Sequence, residues 1–476
     1  MKILMVTSEA NPLAKTGGLA DVAYALSVQL AKMGEDVSLI MPYYSSCHNK
    51  LEREPEFLKE LTINMSWRRL SCRVYKTIIE GVKYYLIEND QYFNRRTLYG
   101  FHDDNERFAF FTIASKDIIA SLNLNPDIIH IHDWQAGMLP CLIEEQCKHI
   151  ENYKNIKYVL TIHNPAFQGL FDPYFLGDYY GLSHQLYDSG KVRFKNCVSS
   201  LKTAIMYAHK ITTVSPTHKE ELLYTNVSQG LESVLQLRQD DFVGILNGID
   251  YQEFNPATDE RIACKYNRVN YRKNKEINKK ALIEKLNLER NEAPLYGVVS
   301  RLTWQKGMDI LLKAIEGILI RGSKVVILGS GEHEYEDRLE SLRSRFPSKL
   351  AIYIGYNDDL AHEIYASCDF FLMPSLFEPC GISQMVALKY GTLPIVRITG
   401  GLKDTVVPYM DDNLLSADGF GFYDYSSDAL YNTMDWAEKC YQDKKVMSTL
   451  CRNAMKKDND WKNSAQAYLK LYEEIA

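Results

Sequence analysis

MKILMVTSEANPLAKTGGLADVAYALSVQLAKM, residues 1–33, decides how the rest of the chain is read. KILMVTS is a short apolar run of the kind expected for a strand buried on both faces of a parallel sheet. NPLAKTGGL, from Asn11 to Leu19, is a turn marked by Pro and a Gly pair. Ala20–Met33 is a helical pattern. Strand, glycine turn and helix make the opening of a βαβ unit.

The same punctuation recurs along all 476 residues. DVSLIMP, DIIHIHD, YVLTIHN, KITTVSP and VGILNG read as further strands of the first half. YGVVSR, VVILGSG, LAIYIGY, FFLMPS and LPIVRI do so in the second, with helices such as Met308–Ile320 between them. So long a chain exceeds what one core serves. The expected fold is α/β, two facing Rossmann-like doubly wound domains with an interdomain cleft. The domain junction is expected near 245–250. Residues 68–90 read as a hairpin-like insertion turning at Gly81. Residues 255–280, polar, basic and without clear period, read as a surface lead-in to the second domain.

Composition narrows the function. Apolar residues are 46% and charged residues 24%, ordinary for a globular protein, and the net charge of −6 argues against nucleic acid or an anionic membrane as partner. No apolar stretch reaches the ~20 residues of a membrane span. Ten scattered Cys without CxxC spacing read as buried reduced thiols. A cytoplasmic location is expected.

In an open parallel sheet, ligands bind beyond the carboxyl ends of the strands. Lys15, Gly17 and Gly18 follow the first strand. This turn reads two ways, as a tight strand–helix connection with a solvated lysine, or as a backbone that passes close to an anion at a helix start. TGGL returns at Thr399–Leu402, again after a strand, with Arg397 as the nearby cation. The amides of Gly400 and Gly401 would form a second helix-start anion site. His132 and Asp133, His163 and Asn164, and Arg301 with Lys306 close three more strands. Glu378 lies in PSLFEPCG ahead of a helix, either a helix-start charge or a partner for ligand hydroxyls. VVILGSGEHEYEDRL has Gly329 and Gly331 but Glu334 where a dinucleotide fingerprint needs a third Gly. A dinucleotide-dependent oxidoreductase is therefore disfavoured, and VVILGSG reads as a strand–helix turn, with a secondary nucleotide contact as its alternative.

Taken together, KTGGLADV (15–22), HDWQAG (132–137), TIHNPAFQG (161–169), TVSPTHKEE (213–221), GILNGID (244–250), SRLTWQKG (300–307), PSLFEPCG (374–381), TGGLKDTV (399–406) and WKNSAQAYLKLY (461–472) resemble bacterial glycogen synthases and plant starch synthases. These are retaining glycosyltransferases of the GT-B fold. The resemblance runs through nearly the whole chain. It implies transfer of glucose from ADP-glucose to the non-reducing end of an α-1,4-glucan, with no cofactor and no metal. It implies an acceptor-binding domain over 1–245, a nucleotide-sugar domain over 246–458, and a tail over 459–476 that crosses back.

By matching position, Glu378, His163, Lys306 and Arg301 are the expected catalytic residues. Lys15, Gly17, Gly18, Asp133, Asn164, Asn247, Thr399, Gly400 and Gly401 are expected to bind substrate. Gln135, His218 and Phe254 depart from the common His, Tyr and Trp, at the flanks of motifs. Sucrose- and trehalose-type relatives carry a second Glu where this chain has Val386, while Gln384 fits the glycogen and starch synthase pattern. No carboxylate is placed as a displacing nucleophile, since Asp21 falls inside the first helix, so front-face transfer with retention is expected. Rival readings are a UDP-sugar-dependent transferase on the same fold and a non-catalytic glucan-binding protein.

Overall fold

A computed structural model describes residues 1–51 and 53–476. The chain divides into two compact units, Met1–Ile245 with Trp461–Ala476, and Leu246–Asp460.

The first unit is built on a nine-stranded sheet. Its strands are β1 (Lys2–Val6), β2 (Asp36–Pro42), β3 (Glu56–Met65), β4 (Arg68–Ile79), β5 (Val82–Glu88), β6 (Ile128–His132), β7 (Lys157–Ile162), β8 (Lys210–Thr213) and β9 (Phe242–Gly244). The spatial order is β9-β8-β7-β6-β1-β2-β5-β4-β3, parallel except for the β5–β4 and β4–β3 pairs. Ile3 to Val6 of β1 are all buried, because neighbours pair on both sides and layers cover both faces. Helix α1 (Gly18–Lys32) follows β1 and buries Leu19, Val22, Ala23, Leu26 and Leu30, a stripe at helical spacing.

The expected hairpin is present, turning at Glu80–Gly81 with φ of 48° and 83°. It is not an insertion, however. β5 pairs parallel with β2, so β3 to β5 extend the main sheet. β3 escaped notice because it is an edge strand with most side chains exposed, and its apolar residues are diluted by charge.

The C-terminal helix Trp461–Glu473 packs against α1. Tyr472 Oη lies 2.7 Å from His130 Nδ1, and His130 Nε2 lies 2.7 Å from Thr161 Oγ1. Burial drives His130 down to about 3, so this network is neutral at physiological pH.

The second unit holds a six-stranded, all-parallel sheet. Its strands are β10 (Leu295–Val299), β11 (Lys324–Gly329), β12 (Leu350–Ile354), β13 (Phe370–Met373), β14 (Leu393–Arg397) and β15 (Phe420–Phe422). The order is β12-β11-β10-β13-β14-β15.

Residues 255–280 are not simply a surface lead-in. Helix α2 (Tyr271–Lys285) begins within them and buries Tyr271, Lys275, Asn278, Lys279, Leu282 and Ile283, which is one helical face. The face is concealed in the sequence because two of its members are lysines. Lys275 Nζ donates to Tyr365 O (3.3 Å), Ala366 O (3.0 Å) and Thr392 Oγ1 (2.5 Å), and Lys279 Nζ pairs with Asp369 Oδ2 at 2.7 Å. Burial without a carboxylate partner lowers Lys275 to about 8.

Both sheets reverse their winding once, between β1 and β6 in the first unit and between β10 and β13 in the second. The crevices outside the carboxyl ends of these strand pairs are where an α/β sheet receives ligands.

Candidate active site

At the first switch point, β1 runs into Thr7, Ser8 and Glu9, and β6 runs into Asp133. The segment Lys15–Gly18 is exposed. Gly17 is the N-cap of α1 and offers no side-chain cap. A Cβ added at Gly17 or Gly18 would meet nothing within 4 Å. Packing within the unit therefore does not require glycine here, whereas a ligand approaching the helix start would. Lys15 Nζ is 2.8 Å from Asp21 Oδ1, so Asp21 holds the lysine at the mouth of the turn. Thr16 donates twice to Glu9 Oε2, from its amide (2.6 Å) and its hydroxyl (2.9 Å). Glu9 is absent from the residues expected on sequence. The rule that directs attention to strand ends covers it, but a carboxylate in SEAN carries no local sign of its burial.

Asp133 sits at φ 56°, ψ −163°, a backbone conformation that costs a non-glycine residue ~1–3 kcal/mol. Its Oδ1 accepts from the amides of His163 (2.7 Å) and Asn164 (3.4 Å). Expected as a substrate ligand, Asp133 shapes the turn that presents His163 and Asn164. Burial raises its carboxyl to about 7. His132 Nδ1 and His163 Nε2 are 3.0 Å apart. Burial lowers His163 to about 3 and His132 well below its usual value, so both rings are neutral at physiological pH. His163 thus offers a hydrogen bond rather than a positive charge.

At the second switch point, Arg301 follows β10 with its side chain exposed, and Nη2 approaches Gln305 Oε1 at 3.4 Å. Lys306 ends the turn Trp304–Lys306. Gly307 follows at φ 77°, and a Cβ there would sit 2.1 Å from Pro374 O. That close approach joins the β10 end to the β13 end. It brings Lys306 Nζ to 2.5 Å from Glu378 Oε2, which also accepts from Ser375 Oγ at 3.0 Å. Glu378 is 6% exposed. Buried side-chain Asn247 Oδ1 has no hydrogen-bond partner among the described residues.

Within the second TGGL, the expectation for the Gly401 amide requires a correction. Gly401 N donates to Glu378 O at 3.0 Å, and a Cβ at Gly401 would lie 2.1 Å from Cys380 O. Helix α3 (Gly400–Thr405) is a single short element in which Gly400 and Gly401 are buried, as is its N-cap Thr399. Gly401 therefore lets the Glu378–Cys380 loop close onto the helix, and its amide is engaged rather than offered to an anion. Arg397 is engaged too, donating to Leu376 O (2.6 Å) and Tyr423 O (3.1 Å). Gln384 completes this support by donating to Cys380 O, Gly381 O and Thr405 Oγ1 at 3.0–3.1 Å. Gly401→Ala should displace the Glu378 loop and lower kcat at least tenfold, roughly the effect of misplacing a catalytic group by about 1 Å. Wild-type turnover in that variant would contradict this role.

Gly329 and Gly331 behave likewise. Cβ atoms there would lie 1.8 Å from Ser300 O and 2.2 Å from Leu302 O. Contact with the neighbouring strand end accounts for both, with no need of a dinucleotide. Among the described residues, one triad has ligand atoms spaced for a metal, Glu253, Asp358 and His362. Arg261 Nη2 already lies 2.8 Å from Glu253 and 3.3 Å from Asp358, where it supplies the positive charge.

The family model of the starch synthase catalytic domain matches residues 2–237, and that of glycosyl transferases group 1 matches residues 278–457. A glycogen synthase of Clostridium kluyveri is 42% identical over 476 residues, all of both chains. The chain belongs to the glycogen and starch synthase family. Another glycogen synthase, from Geobacillus thermodenitrificans, is 40% identical over the whole of this chain and 98% of its own. Among solved structures, the catalytic domain of starch synthase IV from Arabidopsis thaliana, bound to ADP and acarbose, superposes with a TM-score of 0.92 at 31% identity, covering 99% of each chain. A sucrose-phosphate synthase from Thermosynechococcus elongatus, at 16% identity and TM-score 0.62, shares the fold. The two-sheet architecture is thus that of the GT-B glycosyltransferases, and the family is one of glucosyltransferases. Within it, a partly exposed Lys306 pairs with the buried Glu378 beside an open Arg301, and Lys15 heads an open glycine turn.

Proposed function

We propose that the protein is a glycogen synthase that transfers glucose from ADP-glucose to the non-reducing end of an α-1,4-glucan, with retention, releasing ADP. The observation that carries this reading is the Lys306–Glu378 pair at the switch point of the second sheet, with Arg301 exposed on the same strand end. The ADP and acarbose held by the starch synthase IV relative support the donor and acceptor classes.

The bond that breaks joins C1 of glucose to the distal phosphate oxygen. The electron pair leaves with ADP, and negative charge grows on the diphosphate. Arg301, a permanently charged planar fork, and Lys306, a compact charge, stabilise it there. Glu378 fixes the Lys306 ammonium, and Ser375 fixes Glu378. The acceptor hydroxyl oxygen forms the new bond to C1 on the face that the phosphate leaves, and its proton passes to the departing phosphate oxygen. His163, neutral, hydrogen-bonds a sugar hydroxyl without adding charge. Asn164 and Asn247 bind the sugar, the latter through its unpartnered Oδ1.

In this reading Lys15 and the open glycines at the α1 start add positive charge and free amides for the donor diphosphate. The cytoplasm is the proposed compartment, supported by ten free cysteines, eight of them buried.

Lys15→Ala should lower kcat/KM for ADP-glucose about tenfold to a hundredfold, the value of one charge-assisted contact. The fold should be unaffected, since Lys15 is exposed. Unchanged steady-state constants would remove Lys15 from the site. A donor panel of ADP-, UDP- and GDP-glucose with a maltooligosaccharide acceptor tests the reading as a whole. ADP-glucose should give the highest kcat/KM. Preference for UDP-glucose would favour the rival transferase, and glucan binding without nucleotide release would favour a binding protein.

A further inference from the structure

Glu9 has no part in the transfer outlined above, yet it is 3% exposed at the carboxyl end of β1, and among the described residues no lysine or arginine lies within hydrogen-bond reach of it. Its Oε2 is the common acceptor for the amide and hydroxyl of Thr16. Thr16 lies between Lys15 and the open pair Gly17–Gly18. These are the only hydrogen bonds described that tie the exposed Lys15–Gly18 segment to the sheet beneath it, apart from the Lys15–Asp21 pair at its rim. We propose that Glu9 is the positioning residue of the donor-phosphate loop: its carboxylate latches Thr16 and so sets where Lys15 and the α1 start meet the nucleotide sugar. The proposal rests on the reading of Lys15–Gly18 as a donor loop.

The latch has an electrostatic setting. Burial raises the Glu9 carboxyl to about 7, opposed by the two Thr16 hydrogen bonds and by Lys15, and reinforced by Asp21. The other groups facing it are Tyr44, Tyr99 and Asp133. The two phenols stay neutral, since burial holds both well above their usual value. Asp133 is also raised to about 7, so two carboxyls at this switch point titrate in one window. Hydrogen bonds to an ionised carboxylate are roughly twice as strong as those to a neutral group. As pH falls through about 7, Glu9 takes up a proton, both Thr16 bonds lose their charge assistance, and the latch weakens.

Glu9→Gln keeps an acceptor but holds it permanently neutral. In the wild type, KM for ADP-glucose should rise about threefold to tenfold between pH 8 and pH 6, with kcat at saturating donor changing less than twofold. In Glu9→Gln, KM should already be at the high value at pH 8 and should stay flat to pH 6. A pH dependence that persists in Glu9→Gln would assign it to Asp133 and overturn the proposal. Thr16→Val, at an exposed position, removes the hydroxyl bond alone and should raise KM at pH 8 by about twofold to threefold; no change would also count against the latch.

Hydrogen exchange of the segment 13–20, without any nucleotide, keeps the latch separable from the identity of the donor. After correction for the intrinsic pH effect, exchange should be faster in Glu9→Gln and Thr16→Val than in the wild type at pH 8. Equal exchange in all three would refute the latch. Altered exchange in a protein that does not turn over ADP-glucose would retain the latch and refute the functional reading.

Discussion

Replacing Glu378 with Ala is expected to lower kcat by about a hundredfold to a thousandfold, the range for loss of one preorganised electrostatic group. KM for ADP-glucose should change far less, because Arg301 and Lys306 still present positive charge to the diphosphate. The carboxylate acts at one remove from the phosphate, since Oε2 holds the Lys306 ammonium at 2.5 Å and is itself held by Ser375. Without it the ammonium loses its fixed position at the moment negative charge develops. Glu378→Gln separates shape from charge. It preserves the side-chain volume in a 6%-exposed site, so a Gln variant as slow as the Ala variant would show that the negative charge is what matters. Wild-type kcat in Glu378→Ala would remove the residue from the mechanism.

Replacing Lys306 with Met is expected to have two effects of different kinds. It removes a cation from the leaving group, which should lower kcat/KM by about a hundredfold or more. It also strands the Glu378 carboxylate with Ser375 as its recorded partner. Breaking a fully buried ion pair costs about 3–5 kcal/mol, and the partial exposure of Lys306 reduces that to ~2 kcal/mol here. Urea denaturation should show this loss. The double variant Lys306→Met with Glu378→Gln has no stranded charge, so it should recover most of the stability while remaining inactive. If the double variant is no more stable than Lys306→Met, the destabilisation has another source.

The two copies of TGGL illustrate what the sequence could and could not convey. The letters are the same, and both lie after a parallel strand and open a helix. The first pair of glycines faces open space on the side where a Cβ would project. Gly401 of the second faces the Cys380 carbonyl and gives its amide to Glu378. Local sequence states that a backbone passes close to something. Only the tertiary structure says whether that something is a ligand or another loop of the same unit.

Most strands were legible because they are short apolar runs buried on both faces. Their carboxyl ends led directly to Arg301, Lys306, His163 and Glu378. The exceptions have physical causes. β3 is an edge strand with one wet face. Helix α2 buries two lysines against carbonyls and Asp369, so counting charges hides its period. Glu9 and Asp133 act through backbone amides distant in sequence, Thr16 from the next turn and His163 from the next strand.

The anomeric outcome of a single transfer is the most direct test of the proposed reaction. ADP-[1-¹³C]glucose is supplied with a maltooligosaccharide, and the labelled carbon is followed by NMR while ADP is counted. One ADP should be released per labelled glucose, and C1 should be α-configured at a new non-reducing end. A β-configured linkage, or label accumulating as free glucose, would contradict that reaction.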